Sequence, residues 1–385
     1  MGGVSKYYHA AAMTHPVRLG RLFSALFVLV PLTAFGQPAV PAATPPVKLA
    51  IAGVAHGHIG RIVRLIKASS DVELVGVFDK DPALHALMVE RYGLPRTLFF
   101  DDLDVMLDKT RPQAVAAFGT TADHPVVVEA AARRGIHVMM EKPLAVSNAD
   151  ADRIRQAAAK GKVHVIVNYE TTWYPSHAAI WKVMKERKAG GEIRKMVAMD
   201  GHEGPKEIGV GPEFFDWLTD PVRNGAGALF DFGCYGANLM TWLMDNQRPL
   251  TVTAITQRIK PDIYPRVDDE ATILVEYPKA QGIIQASWNW PFGRKDLEVY
   301  GATGYAIATG GNSLRLRLPK ETERAETPEP RTPTERDELA YFTAIVRGTT
   351  LPSGLSSLDN NLIVTEILDA ARESARAGKT IRLAR

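Results

Sequence analysis

The stretch from Leu49 to Gly60 reads Leu-Ala-Ile-Ala-Gly-Val-Ala-His-Gly-His-Ile-Gly, and it restricts the fold more than any other part of the chain. Leu49 to Ala52 is a short apolar strand. Gly53, Gly57 and Gly60 mark a tight turn into a helix expected over Ile59 to Lys67. Free backbone N–H groups and the helix dipole make such a helix start a seat for a pyrophosphate. A second strand, Val72 to Phe78, ends on Asp79. Asp79 follows Gly60 at close to the spacing of about 20 residues expected of a carboxylate that grips a ribose 2′-hydroxyl. The usual Gly-x-Gly-x-x-Gly spacing is not kept: aligned on Gly57 and Gly60, its first position falls on Ala55. The succession of strand, turn, helix, strand and acid outweighs that irregularity. The turn residues Gly53, His56, Gly57, His58, Ile59 and Gly60 are therefore candidates for the phosphate side of a dinucleotide, and Asp79 and Lys80 for its ribose. A carboxylate repels a 2′-phosphate, so Asp79 favours NAD, while Lys80 keeps NADP open.

From residue 47 to 165, strand and helix patterns alternate, which implies parallel strands joined by right-handed crossovers. After that the texture changes. Apolar, β-branched runs at Met196–Met199, Thr251–Gln257, Ala271–Tyr277, Gly282–Trp290, Leu297–Tyr300 and Tyr305–Thr309 are mostly separated by polar turns, as in a largely antiparallel sheet with one covered face. Two helices are expected at Glu335–Arg347 and Asp359–Ala377, and the Pro-, Glu- and Thr-rich stretch 319–334 reads as a mobile surface loop. The expected fold class is α/β. A Rossmann domain over 47–167, a doubly wound parallel sheet, precedes an α+β domain over 168–385 with a large, mainly antiparallel sheet. The last helices of the second domain are expected to pack back on the first.

The formal charge of +3 among 385 residues comes from the leader: residues 1–36 hold Lys6, Arg18 and Arg21 and no acid. The remainder is formally neutral, which gives no basic face for a nucleic acid. The single Cys234 excludes an internal disulfide and a thiolate zinc site. Arg18 and Arg21, the apolar run Leu22–Leu32 and Ala34-Phe35-Gly36 have the layout of a cleaved export signal. The run is too short for a membrane span of about 20 residues, and no adjacent arginine pair precedes it. Residues 37–46 form a Pro-rich linker. A periplasmic protein is expected, and a cytoplasmic one if the leader is not a signal.

Ligands of open parallel sheets bind at the carboxyl ends of the strands. Gly119-Thr120-Thr121-Ala122-Asp123-His124 and Glu141-Lys142-Pro143 fall there, which adds Thr120, Thr121, His124, Glu141, Lys142 and Pro143 to the cofactor candidates. Pro143 biases Lys142 toward an extended backbone, so its ammonium projects beyond the strand end. In the segment Gly225–Asn238, Asp231 and Tyr235 are one helical turn apart and Asn238 lies on the next turn. A phenol whose pKa a nearby ammonium lowers is a useful acid–base group. The residues alone leave Tyr235 open between that role and a buried structural one. His56 and His58 suggest a metal, but no acid or third histidine joins them in sequence, so no metal is expected.

Glu141-Lys142-Pro143, the Gly191-Glu-Ile193 turn and the Gly-Ala-Gly-Ala…Asp-x-Gly segment resemble the Gfo/Idh/MocA oxidoreductase family over nearly everything after residue 47. Asp231-Phe-Gly-Cys-Tyr235-Gly-Ala-Asn238 is similar to the branch containing glucose–fructose oxidoreductase, dihydrodiol dehydrogenase and a xylose dehydrogenase. The resemblance implies hydride transfer between NAD (or NADP) and a sugar or polyol. It implies Lys142 and Tyr235 as the catalytic pair with Asp231 in support, a cis Lys142–Pro143 bond, and a sheet-mediated homodimer or homotetramer. Asn168, Tyr169, Trp173 and Asn238 are the substrate-side candidates. An Asn-Tyr-Arg segment common in the family is Asn168-Tyr169-Glu170 here, an arginine replaced by an acid. Two other readings of this fold are a glycosidase that oxidises its sugar transiently with NAD, and a non-catalytic sugar-binding protein.

Overall fold

The computed structural model describes residues 44–383. The leader and nearly all of the linker lie outside the described residues. The first sheet has six parallel strands: β1 (Val47–Ala52), β2 (Val72–Phe78), β3 (Phe99–Phe100), β4 (Ala114–Ala117), β5 (His137–Glu141) and β6 (Val165–Asn168), in the order β3-β2-β1-β4-β5-β6. Helices α1 (Ile59–Ala68), α2 (Pro82–Tyr92), α3 (Leu103–Thr110), α4 (His124–Ala132) and α5 (Asn148–Gly161) make the crossovers. The order reverses between β1 and β4, which opens a crevice at their carboxyl ends. Central strands read as unbroken apolar runs because both faces are covered: all of β4 is buried. On α1, Ile59, Ile62, Val63 and Ile66 recur at helical spacing and bury one stripe against the sheet. Strand β3 is only two residues long, because Arg96–Leu98 close a 3₁₀ turn first. Helix α4 begins at His124, with Pro125 in its first turn, where a missing N–H costs nothing.

The second half continues with α6 (Pro175–Trp181), β7 (Ile193–Gly201), α7 (Pro212–Leu218), α8 (Pro221–Asn224), α9 (Ala228–Asp231) and α10 (Gly233–Leu243). Strands β8 (Thr251–Gln257), β9 (Glu270–Glu276), β10 (Gln281–Ser287), β11 (Arg294–Gly301), β12 (Tyr305–Thr309), β13 (Leu314–Arg317) and β14 (Arg324–Glu326) follow. Then come α11 (Glu338–Val346), α12 (Leu358–Ala377) and β15 (Ile381–Arg382). Nine strands form one sheet in the order β14-β13-β12-β11-β7-β10-β9-β8-β15. Its pairs are antiparallel except β10 with β7. The stretch 319–334 is not all loop: Arg324–Glu326 pairs with β13 as an edge strand, and its three exposed residues, Arg324, Ala325 and Glu326, are too few and too polar to show an apolar alternation. Helix α11 returns to the first sheet, where the Arg61 guanidinium donates two hydrogen bonds, of 2.6 and 2.9 Å, to the buried Glu338.

Helix α10 lies on the second sheet at close range because Gly236 faces it. A Cβ there would sit 2.7 Å from Ile284 Cγ2 and 2.9 Å from Ala198 Cβ, on two paired strands. Overpacking of that kind costs about 1–3 kcal/mol. Gly236→Ala is therefore expected to lower the unfolding free energy by that amount, read as a lower urea midpoint with the m-value unchanged. A midpoint equal to that of the wild type would show that the contact is slack.

Candidate active site

A groove of about 890 Å³ runs along the carboxyl ends of β1, β2 and β4, lined by Gly53, Asp79, Lys80, Gly119 and Thr120 and, from α8, Arg223. Gly53 has φ +80°, and a Cβ on it would lie 2.5 Å from the backbone of Gly119. Only glycine lets the turns after β1 and β4 approach this closely. The Asp79 carboxylate is fixed at the groove edge. One oxygen accepts from the backbone N–H of Val54 at 2.9 Å and the other from that of Asp81 at 3.0 Å. The glycine-rich turn is roofed by α7. The Phe214 ring lies 3.0 Å from where a Gly57 Cβ would be, and the Trp217 indole N–H donates to the Ala55 carbonyl at 3.3 Å.

Some expected cofactor residues lie elsewhere. Thr121 and His124 are buried under the loop after β4, where His124 Nδ1 bonds the Leu144 carbonyl at 3.1 Å, and neither lines the groove. Ile59 packs into the core, so it offers only its backbone, and Gly60 lies tight against the Tyr92 hydroxyl.

Lys142 ends β5 on a cis Lys142–Pro143 bond and is buried, 5% exposed, not a solvated surface lysine. Its ammonium donates to Asp231 Oδ1 at 2.5 Å and to the Asp231 carbonyl at 3.0 Å. The Trp288 indole N–H donates to Asp231 Oδ2 at 2.9 Å. Burial alone would raise the Asp231 pKa and lower that of Lys142. Each partner's charge outweighs this, so the carboxylate is held down and the ammonium up. Asp231 and Tyr235 do not share one continuous helix: α9 stops at Asp231, and Tyr235 belongs to α10. Both still converge on Lys142, whose Nζ stands 5.2 Å from the centre of the Tyr235 ring. The Lys295 ammonium of β11 lies 5.1 Å from the same ring and bonds Glu170 at 2.8 Å, and the Tyr174 hydroxyl donates to Glu170 at 2.6 Å. Burial, and after it the Glu170 charge, push the Tyr235 phenol well above its ordinary pKa. The expected lowering by a nearby ammonium does not occur, because both ammonium groups lie by the ring and are bound to carboxylates.

The substrate-side candidates divide. Asn168 donates to Glu141 Oε1 at 2.8 Å and accepts from the Trp173 indole at 2.9 Å, so this pair holds Glu141 in place. Tyr169 is fully buried, edge-on to Tyr235 with ring centres 5.5 Å apart. Asn238 is fully buried and its side-chain amide donates to the Leu355 carbonyl at 2.8 Å, which ties α10 to the chain before α12. The histidine side chains also turn away from the phosphate seat. His56 sits among Phe118, Phe214 and Trp217, and His58 Nδ1 bonds Glu141 Oε2 at 3.0 Å. An acid does join the two histidines, brought there by the fold. Sequence reasoning missed Lys295, Trp288, Phe214 and Trp217. Each lies on an element remote from the glycine-rich turn and carries no local motif.

A six-stranded Rossmann sheet with a groove at the carboxyl ends of β1, β2 and β4, a buried lysine–aspartate pair directly after β5 and a second, nine-stranded sheet are the parts of a two-domain dinucleotide-binding protein. Residues 47–169 match a family model described as "Oxidoreductase family, NAD-binding Rossmann fold", and residues 180–307 match the GFO/IDH/MocA C-terminal domain. The chain belongs to the Gfo/Idh/MocA oxidoreductase family. It is 28% identical over 170 residues to the trans-1,2-dihydrobenzene-1,2-diol dehydrogenase of Xenopus laevis, covering 43% of this chain and 47% of that protein. The Sus scrofa protein of the same name is 24% identical over 292 residues, covering 74% and 80%. The chain thus spans about half of the frog relative and four fifths of the pig one. An inositol dehydrogenase homolog complexed with NAD+ from Azotobacter vinelandii shares the fold, with a TM-score of 0.76 at 20% identity over 88% of this chain and 97% of that one.

Removing one partner of a buried ion pair strands the other charge, at about 3–5 kcal/mol. Asp231→Asn is expected to destabilise the protein by that order at pH 7. Because the folded-state pKa of Asp231 is depressed, its stabilisation is present above the ordinary aspartate range and is lost as pH falls through the folded value. The gap between wild type and Asp231→Asn should therefore shrink on acidification. Urea unfolding at neutral and acid pH checks both points, and a pH-independent gap contradicts the assignment.

Proposed function

We propose that the chain is an NAD-dependent dehydrogenase or reductase of a neutral sugar or polyol. The observation that carries this reading is the buried Lys142–Asp231 pair beside Tyr235 directly after β5, in the same Rossmann sheet whose β1, β2 and β4 end at the groove edged by the Asp79 carboxylate. The backbone of the turn from Gly53 to Gly60 would receive the pyrophosphate and Asp79 the ribose hydroxyls. The nicotinamide, when bound, supplies a hydride acceptor or donor. Lys142, fixed by Asp231, points a charge at the substrate oxygen. Tyr235 holds the proton that this oxygen gains in reduction and gives up in oxidation. A phenol kept protonated by burial suits the donating role. Glu170 and Lys295 place an acceptor next to a donor beside Tyr235, an arrangement suited to hydroxyl groups and, through Glu170, hostile to acidic substrates. The names of the relatives, a diol dehydrogenase and an inositol dehydrogenase homolog, agree with a substrate of this kind.

Asp79→Ala should weaken NAD(H) binding more than NADP(H) binding, measured by fluorescence titration. A wild type that binds NADP(H) more tightly would contradict the role given to Asp79. Tyr235→Phe and Lys142→Met should each reduce turnover by about 10²–10⁴-fold, the usual contribution of a positioned acid–base group. Dinucleotide affinity should change little. The measurement is steady-state kinetics on a polyol identified by screening for NADH formation, and near-normal turnover in either variant removes that residue from the chemistry.

A further inference from the structure

We propose that His56, His58 and Glu141 form a binding site for one divalent transition-metal ion of the zinc or cobalt type. The site stands on geometry alone and does not depend on the dinucleotide reading. The three residues come from two distant segments, the glycine-rich turn and the end of β5, and one donor atom of each lies within 4.8 Å of the others. His58 Nδ1 and Glu141 Oε2 are already 3.0 Å apart. Two donors that share a metal at about 2.0–2.1 Å each lie at roughly this separation.

The surroundings hold the donors as an outer shell does. Glu141 is buried, its second oxygen fixed by Asn168 and Asn168 in turn by Trp173. Hydrogen-bonded carboxylate ligands of this kind are the usual support of a metal site. The His56 ring is confined by Phe118, Phe214 and Trp217. The His58 side chain is 39% exposed and provides the path of entry.

The charge count also asks for a cation. Lys142, next in the chain to Glu141, is taken up by Asp231. That leaves Glu141 a buried carboxylate whose one charged hydrogen-bond partner among the described residues is His58, and only when the imidazole is protonated. Buried charges are paired or coordinate metals. Two imidazole nitrogens and one carboxylate suit zinc, cobalt or nickel better than the all-oxygen preference of calcium or magnesium. One cost is visible: the His58 backbone N–H donates to His56 Nδ1 at 3.1 Å. Uptake through that nitrogen breaks this bond, which makes the site weaker than a closed structural one.

The test uses the full chain, free of any affinity tag, stripped with a chelator and without dinucleotide. Cobalt(II) is followed by visible absorption and zinc(II) by calorimetry. One ion per chain is expected, with affinity reduced about 10–100-fold or more in His58→Ala and in Glu141→Gln, since loss of supporting groups alone costs that much. His164→Ala, in the separate His137–His164 stack with ring centres 5.1 Å apart, should leave uptake unchanged. Circular dichroism establishes that each variant is folded, and His58→Ala, at a partly exposed position, decides the question if Glu141→Gln does not fold. Absence of stoichiometric uptake by the wild type overturns the proposal. So does uptake undiminished in His58→Ala, which would assign the ion to another place such as His9 and His15 of the leader.

Discussion

The buried pair between Lys142 and Asp231 is the contact on which the rest of the site depends. It joins the end of a Rossmann strand to the end of a short helix of the second half. Taking both charges out of water costs several kcal/mol per ion, and their attraction repays it only if the remaining donors and acceptors are satisfied. The structure meets that condition closely. The second carboxylate oxygen takes the Trp288 indole N–H, and the ammonium takes the Asp231 carbonyl as a further acceptor. Trp288 follows β10 directly, so through Asp231 the second sheet is linked by hydrogen bonds to Lys142 of the Rossmann domain. A charge held this firmly is preorganised for an oxygen that gains or loses a proton.

The fold was legible in the sequence wherever the signal is local. The stripe Ile59, Ile62, Val63, Ile66, the strand Val72–Phe78 ending on Asp79, and the runs Thr251–Gln257 and Tyr305–Thr309 stand where hydrophobic periodicity put them. The site was legible only in part. Lys142 and Asp231 sit in segments with recognisable neighbours. What pairs with them is set by sheet order, which no local pattern encodes. Glu141 reaches His58 across 83 positions and Trp288 reaches Asp231 across 57. Asn238 shows another limit of local spacing. Helical spacing from Tyr235 suggests a shared face, but only the fold shows that this turn of α10 meets α12, where the Asn238 amide donates to the Leu355 carbonyl and to Asn361.

The surroundings of Tyr235 set two carboxyl groups in opposite electrostatic situations. Asp200 on β7 stands directly across from Lys295 on β11, and the two side chains occupy the same face of the sheet. A cross-strand ion pair would be the simple outcome. Instead Asp200 is fully buried, neither of its carboxylate oxygens has a hydrogen-bond partner, and burial pushes its pKa well above the ordinary value. The Lys295 ammonium bonds Glu170, which is more exposed, and so stands beside the Tyr235 ring. Burial disfavours the charged form of both the Asp200 carboxyl and the Tyr235 phenol, and for the phenol the Glu170 charge acts in the same direction. The two layers around Tyr235 thus differ in kind: a buried acid without a hydrogen-bond partner on β7, and a partly exposed ion pair between Lys295 and Glu170 above it.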